Sequence, residues 1–316
     1  MTRLTRAVVG SFPSFDDKDI ENSILKIVNL QLKYGINIIS DGEQRYDMIA
    51  YFAGTLPGLK SEGQNSYVTG KIKPPEDLTT FSKIKDFMFV KSFLAQNGKP
   101  NKIKLTITGP VTLGFSCGLN GLEESPYSTV KDFQLYTDVS TALKPIADEF
   151  QKIGALVQID EPGLSAGYVN YKDFSKELFQ WINEMTADLN PENTIMHICG
   201  RIPKRLFEIV LQFENIGTFS FAFDGMVEKD NINIISREIL EDHGKKLGFG
   251  CISGVNQVLS DPETVKSNII AAVEKIGVEN IAFIHPDCGL RVLSPEKAEV
   301  VLNNMTEGVQ LFENIT

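Results

Sequence analysis

The stretch "ALVQIDEP" at residues 155–162 is a short apolar run that ends in two adjacent carboxylates and a proline. An apolar run of this length, bounded by turn residues, has the pattern of a buried strand. After a segment of helical pattern, "NTIMHICG" at residues 193–200 repeats the design, again with polar residues at its end. Strand, helix and strand in this order predict a β-α-β unit of a parallel sheet.

Six further strand-like runs occur, and helical patterns separate most of them. The eight runs are residues 6–12, 36–43, 102–110, 155–162, 193–200, 217–225, 246–254 and 280–289. Eight repeats predict the α/β class and a (β/α)8 TIM barrel, which a single domain of 316 residues can form. A doubly wound open sheet is the competing architecture, but no glycine-rich phosphate turn follows the first run.

Residues 44–80 interrupt the repeat after the second strand. Their glycines and prolines predict an insertion, a loop or hairpin that lies over one end of the barrel. The sequence predicts neither a second domain nor a linker.

The composition excludes several classes of protein. The net charge of −10 and the pI near 5.0 argue against a nucleic-acid surface, which would require a basic stripe. No apolar run approaches the roughly 18 residues of a membrane span, and the N-terminus lacks the pattern of a signal peptide. Four cysteines in 316 residues are not a disulfide framework, so we expect a cytoplasmic protein.

His197 and Cys199 are two residues apart on a predicted strand, and alternation places them on the same face. In a barrel the strand ends converge on one mouth, which would bring Cys288 to the same place. Three such ligands with an open fourth position describe a catalytic zinc site. The alternative is a hydrogen-bonded core histidine with two small buried cysteines. His285 is a further candidate ligand, because it precedes Cys288 by three residues.

Acidic residues also fall at strand ends, in "DGE" at 41–43 and "DEP" at 160–162. Taken singly, such acids usually cap helices or pair with arginine. A cluster of acids beside thiolate ligands is more specific, because it fits a zwitterionic amino acid that carries a thiol.

The chain resembles the C-terminal catalytic barrel of the cobalamin-independent methionine synthase family. Six motifs carry the resemblance, in the family's order, from Val8 to about Leu290: "VVGSFP", "DGEQRYDMIAYF", "ITGPVTL", "VQIDEPGL", "HICG" and "HPDCGL". The resemblance implies a Zn²⁺ ion bound by His197, Cys199 and Cys288. It also implies that homocysteine is held by Val9, Gly10, Ser11, Glu43 and Asp160.

The sequence departs from the family pattern in four ways. Full-length members carry a second, N-terminal barrel for which 316 residues leave no room, so we expect a short, core-only form. The family's glutamate ligand aligns with Ala222, although Asp224 on the same face could replace it. Ser116 stands where the family has a tryptophan against the folate, and Val255 where it has an acid/base histidine.

These patterns together predict a zinc-dependent homocysteine S-methyltransferase that forms methionine. Because the changes at Ser116 and Val255 concern the donor side, we expect a methylcorrinoid, on a partner protein, rather than methyl-tetrahydrofolate polyglutamate. We expect no nucleic-acid or membrane partner. Two alternatives remain: a methyltransferase for another thiol such as coenzyme M, and a homocysteine- or zinc-binding subunit that needs a partner for activity.

Overall fold

The parallel sheet of this protein curls into a barrel. The computed structural model describes residues 3–15, 19–63, 65–122, 124–170, 174–254 and 259–315. The strands are β1 (Ile38–Ile39), β2 (Leu59–Glu62), β3 (Asn65–Val68), β4 (Lys102–Thr108), β5 (Leu156–Asp160), β6 (Thr194–Ile198), β7 (Thr218–Ala222), β8 (Lys246–Ile252) and β9 (Ile281–Pro286). Seven of them form one sheet in the order β1-β4-β5-β6-β7-β8-β9, and every pairing in it is parallel.

The N-terminal segment that begins at Thr5 closes the ring between β9 and β1. The amide of Ala7 donates to the carbonyl of Ile284 at 2.8 Å, and the amide of Ile284 donates to Thr5 at 2.8 Å. On the other side, the amide of Asn37 donates to the carbonyl of Arg6 at 2.8 Å. This segment occupies the position of the eighth strand, so the predicted (β/α)8 barrel is confirmed.

Helices follow the strands and cover the outside of the barrel. They are α1 (Ile20–Lys33), α2 (Met48–Ala53), α3 (Ser82–Gln96), α4 (Pro110–Asn120), α5 (Phe133–Lys152), α6 (Pro162–Ser165), α7 (Ser175–Thr186), α8 (Lys204–Val210), α9 (Arg237–Asp242), α10 (Pro262–Ile276) and α11 (Pro295–Glu313). Helix α5 is amphipathic and buries Leu135, Val139, Leu143 and Phe150 against the sheet layer. In the part of the chain that is described, no helix has the length and apolar character needed to cross a bilayer.

Sequence signals set the helix ends. The Asp261 carboxylate accepts from the amide of Thr264 and caps α10, whose first residue is Pro262. At the other end Gly277 has φ +80°, a conformation that favours glycine over any residue with a Cβ atom.

Residues 44–80 contain α2 and the antiparallel hairpin β2–β3. The hairpin packs on the end of α4, where the amide of Val68 donates to Gly121 at 3.1 Å. The Thr108 hydroxyl, at the end of β4, donates to the carbonyl of Met48 at 2.7 Å. The hairpin region is thereby fixed beside the carboxyl ends of the strands, where active sites of this fold lie.

Candidate active site

Three candidate ligands meet at the carboxyl ends of β6 and β9. His197 lies on β6, Cys199 just beyond it, and Cys288 just after β9. One nitrogen of His197 and the two Sγ atoms all lie within 4.8 Å of one another. His197 is buried and the two cysteines are half-buried. The cluster is therefore accessible from the mouth while its imidazole is held in the interior.

The imidazole of His197 has one nitrogen in use and one without a partner. Its Nδ1 lies 2.9 Å from the hydroxyl of Ser220. Its Nε2 is buried and makes no hydrogen bond to any described residue. Leaving such an atom unsatisfied costs about 1–3 kcal/mol, a cost that a metal ion at this nitrogen would remove. One imidazole and two thiols are ligands that zinc prefers, so the residues fit this metal.

The pKa values of the two cysteines in the cluster are shifted in opposite directions. A hydrogen bond from the Cys199 thiol, together with the adjacent His197, lowers the pKa of Cys288 to about 4 against the effect of burial. The same hydrogen bond, with burial, raises the pKa of Cys199. Cys288 is therefore the more acidic of the two hydrogen-bonded thiols. Cys117 and Cys251 lie elsewhere in the apolar core, where burial raises the pKa of each.

Glu43 faces the interior from the loop after β1. It has φ +53°, an uncommon conformation for a residue with a side chain. Its Oε1 accepts from the ammonium of Lys83 at 3.1 Å and from the hydroxyl of Thr106. Burial alone would raise the pKa of Glu43, but Lys83 and Thr106 outweigh it and lower the pKa. Glu43 is therefore an ionised carboxylate inside the mouth.

Asp160, at the end of β5, is held by a buried amide. The Nε2 of Gln158 donates to Asp160 at 2.6 Å and to the carbonyl of Val9 at 2.9 Å. Lys104 in turn donates to the Oε1 of Gln158 at 2.6 Å and to the carbonyl of Val8. Burial raises the pKa of Asp160 to about 7 and lowers that of Lys104 to about 8. One side chain thus fixes a carboxylate relative to the backbone of the N-terminal segment.

Gly10 and Ser11 pass between these acids and the cysteine cluster. A Cβ atom at Gly10 would lie 2.8 Å from the Cγ2 of Thr106, so the backbone approaches β4 only because this residue is glycine. The amide of Leu290 donates to the carbonyl of Ser11 at 2.8 Å, and a Cβ atom at Gly289 would meet the Ser11 hydroxyl. The segment therefore lies next to the loop that carries Cys288.

Glu161, beside Asp160 in sequence, points elsewhere. It is completely buried, and its carboxylate accepts from the amides of Val111 and Thr112 at 2.9 and 3.0 Å. The Thr112 hydroxyl adds a third bond at 2.6 Å. Glu161 therefore satisfies the free amides at the start of α4. Burial nevertheless raises its pKa to about 7.

On the opposite side of the mouth, backbone amides and side chains of the protein donate hydrogen bonds to two acidic residues, Asp287 and Asp224. Asp287 accepts from the amides of Phe223, Asp224 and Gly225 at 2.9–3.3 Å. The Asp224 carboxylate accepts from the amide of Ser253 at 2.9 Å. It also accepts from the side chains of two further residues, Ser260 at 2.7 Å and Asn268 at 3.0 Å.

His285 does not join the three-residue cluster. Its Nδ1 lies 2.6 Å from the carbonyl of Pro286, and its Nε2 lies 3.0 Å from the Ser220 hydroxyl. It is fully buried, and burial is the main cause that lowers its pKa to about 3. His285 therefore stays neutral and contacts the cluster through Ser220 rather than as a ligand.

Comparison with known proteins identifies the family. The sequence model described as "Cobalamin-independent synthase, Catalytic domain" matches residues 11–310. The chain belongs to the cobalamin-independent methionine synthase family. The methionine synthase of Methanothermobacter thermautotrophicus is 30% identical over 303 residues, which cover 96% of this chain and 92% of that protein. That of Methanocaldococcus jannaschii is 29% identical over 330 residues, covering 97% and 98%.

A solved structure has the same fold as this member of the family. A B12-independent methionine synthase from Shewanella sp. W3-18-1, in complex with selenomethionine, superposes with a TM-score of 0.78 and 18% identity. The match covers 99% of each chain. At this identity the likeness concerns the fold, and it agrees with the closed barrel described above.

The structure places most of the residues at which this chain departs from the family pattern. Ala222 is buried at the end of β7. Asp224, the suggested replacement ligand, is outside the cluster of His197 and the two cysteines, as far as the chain is described. Ser116 is half-buried on α4. Val255 lies outside the described residues.

Sequence reasoning missed the residues that hold the site in place, namely Lys83, Lys104, Gln158 and Ser220. Three of them are polar residues in short apolar strands, and all four are buried. A polar side chain at a position that must face the barrel interior is the signal that could have found the strand residues, because a buried polar group needs a partner.

Proposed function

We propose that this chain transfers a methyl group to the thiol of L-homocysteine and forms methionine, with a zinc ion bound by His197, Cys199 and Cys288. The main support is the unpartnered, buried Nε2 of His197 beside two thiols, in a mouth that also contains Glu43 and Asp160. Membership of the family and the names of the related methanogen proteins support the same reaction.

The acceptor site is assigned from the charges and backbone groups of the mouth. Asp160 and Glu43 are the carboxylates available for the ammonium group of an amino acid. The backbone from Val9 to Ser11 borders the same space and supplies polar groups for its carboxylate. This arrangement favours an amino-acid thiol over coenzyme M, which carries a sulfonate and no amine.

Methyl transfer requires a reactive sulfur and a donor that aligns with it. Zinc, when bound, lowers the pKa of a coordinated thiol, so that the acceptor sulfur is a thiolate at neutral pH. The electron pair of the sulfur forms the new S–C bond, and the electron pair of the broken bond leaves with the donor. The protein residues orient the amino acid and exclude water, which lowers the barrier by fixing the reacting atoms in line.

For the donor, we propose a methylcorrinoid, carried by a partner protein, in place of methyl-tetrahydrofolate polyglutamate. Ser116 and Val255 stand where the family pattern has the folate-stacking tryptophan and the acid/base histidine. A folate amine is a poor leaving group that needs a proton, whereas cobalt keeps the electron pair of the broken bond and needs none. The loss of these two residues is therefore compatible with a corrinoid donor.

The test is a set of methyl-transfer assays on one preparation of known zinc content. Homocysteine is offered with methylcobalamin or with methyl-tetrahydrofolate, and coenzyme M replaces homocysteine in a third assay. We expect methionine from methylcobalamin alone. Efficient turnover with the folate would overturn the donor assignment, and turnover of coenzyme M in preference to homocysteine would overturn the acceptor.

Matched cysteine variants test the metal assignment in the same assays. Cys288→Ser should lose zinc and activity together, while Cys117→Ser, in the apolar core, should keep both. A Cys288→Ser protein with full activity would refute the ligand assignment.

A further inference from the structure

We infer that Ser220 and His285 act as positioning residues that fix the proton of His197 on Nδ1 and leave the Nε2 lone pair available to the metal. The hydrogen-bond chain from His197 through Ser220 and His285 to the carbonyl of Pro286 is called the histidine relay below. The inference rests on the proposed function for the identity of the metal, but the proton positions follow from the hydrogen bonds between neutral rings.

The relay is anchored at the carbonyl of Pro286. A carbonyl oxygen can only accept a hydrogen bond, so the Nδ1 of His285, 2.6 Å away, must carry a proton. The carbonyl of Gly248 also interacts with this ring. A neutral imidazole has one proton, and the short bond to Pro286 places it on Nδ1, so the Nε2 of His285 is bare and can only accept. The direction of the first link is thereby fixed by the backbone.

Ser220 transmits this direction to His197. Its hydroxyl lies 3.0 Å from the Nε2 of His285 and has one proton, which it must donate there. The oxygen of Ser220 is then left as an acceptor for the Nδ1 of His197 at 2.9 Å. In its neutral form His197 consequently carries its proton on Nδ1, and its Nε2 has a free lone pair.

Solvent does not reach the side chains of the relay, so water does not compete for their hydrogen bonds. His197, Ser220 and His285 are exposed by only 3%, 1% and 0%. They lie on β6, β7 and β9, and His197 pairs directly with Ser220 in the register of β6 and β7. The two rings stand nearly perpendicular, at 80° with centroids 6.0 Å apart. The strands of the barrel therefore hold the three side chains in one arrangement.

The relay should raise metal affinity by selecting the correct tautomer in advance. Partners of this kind, which bond the second nitrogen of a ligating histidine, typically contribute roughly 10–100-fold to metal affinity. The side chain of Ser220 would thus contribute to metal binding without touching the metal.

The first test is the protonation state of the histidines in the metal-free, wild-type chain. Nitrogen-15 NMR of the ring nitrogens is practical because the chain has only three histidines. Variants at His243, which is exposed, and at His285 assign the signals. We expect His197 and His285 both to carry the proton on Nδ1. A proton on the Nε2 of His197 would overturn the relay.

The second test compares Ser220→Ala with Ser140→Ala in zinc competition against a chelator. Ser140 is also fully buried and donates its hydroxyl to a backbone carbonyl at 2.8 Å, but on α5, away from the relay. We expect zinc affinity to fall roughly 10–100-fold for Ser220→Ala and to stay at the wild-type value for Ser140→Ala. Equal affinities in the two variants would overturn the proposed role.

The two tests separate this inference from the proposed function. A wild-type chain that binds no zinc would refute the metal assignment, whereas the NMR measurement on the metal-free chain would still decide the proton positions. Neither measurement requires methyl transfer.

Discussion

The two sides of the barrel mouth hold their acidic residues in different ways. On the side of β1, β4 and β5, Glu43 and Asp160 are held by side chains, chiefly Lys83 and Gln158. On the side of β7, β8 and β9, the carboxylate of Asp287 is occupied by three successive backbone amides, and a loop amide and two side chains bond to the neighbouring Asp224.

The difference shows why an acid at a strand end is not evidence for a binding site by itself. Backbone amides in a turn have no other acceptor, so a buried carboxylate that serves them is part of the loop's structure. Asp160 and Glu161 make the contrast within one dipeptide. Alternation along the strand sends Asp160 into the mouth and Glu161 under α4. Four substitutions test this contrast.

Glu43→Gln should have the largest effect on the free energy of unfolding. It leaves the buried ammonium of Lys83 without the carboxylate that it contacts at 3.1 Å, and breaking a buried ion pair costs about 3–5 kcal/mol. Because the pKa of Glu43 is lowered in the fold, its contribution is present above its unfolded value of about 4.5 and is lost as the pH falls. Urea denaturation should show that the difference in the free energy of unfolding between wild type and Glu43→Gln becomes smaller below that pH. A gap independent of pH would contradict the ion pair.

Asp160→Asn should weaken homocysteine binding by on the order of 2–5 kcal/mol, as expected when one partner of a buried charge pair is removed. The zinc content should not change, since Asp160 is not in the ligand cluster. Calorimetric titration of the zinc-loaded protein measures both. If the affinity stays at the wild-type value, the ammonium group binds elsewhere.

Glu161→Gln should lower stability rather than binding. The amide nitrogen of glutamine would face a backbone donor at the start of α4, at a cost of about 1–3 kcal/mol. The pKa of Glu161 is raised to about 7, so the contribution of this group is fully present below about 4.5 and is lost as the pH rises through 7. The difference in the free energy of unfolding between wild type and Glu161→Gln should therefore narrow between about pH 4.5 and 7, the opposite direction to Glu43→Gln.

Asp224→Asn should have the smallest effect, a loss of about 1 kcal/mol in stability from one weakened hydrogen bond. Zinc content and zinc affinity should equal those of wild type, because the Asp224 carboxylate accepts hydrogen bonds from Ser253, Ser260 and Asn268. Loss of zinc from this variant would show that Asp224 reaches the metal and replaces the family's glutamate.

Much of the fold could be predicted from the sequence, because each strand–helix unit carries its own signals. Seven of the eight predicted strand runs contain a strand of the sheet. The first run, 6–12, supplies only bridging residues at Arg6 and Ala7. This run pairs with residues of β1 and β9, and β9 is far away in the chain. A local sequence pattern does not indicate such a pairing.

The cluster of His197, Cys199 and Cys288 could also be predicted from the sequence. Alternation places His197 and Cys199 on one side of a strand, and the barrel topology brings the end of β9 to the same mouth. Whether the cluster holds zinc is a chemical question that the measurements above decide.

By itself, the sequence determined the order of strands and helices, the residue types at each strand end and the family. Only the tertiary structure decided which acids face the substrate space, which histidine has a free nitrogen, and which buried polar groups hold them. The physical reason is that periodicity and capping are local, whereas a hydrogen bond such as that from Ser220 to His285, 65 residues apart, forms only after the barrel has closed.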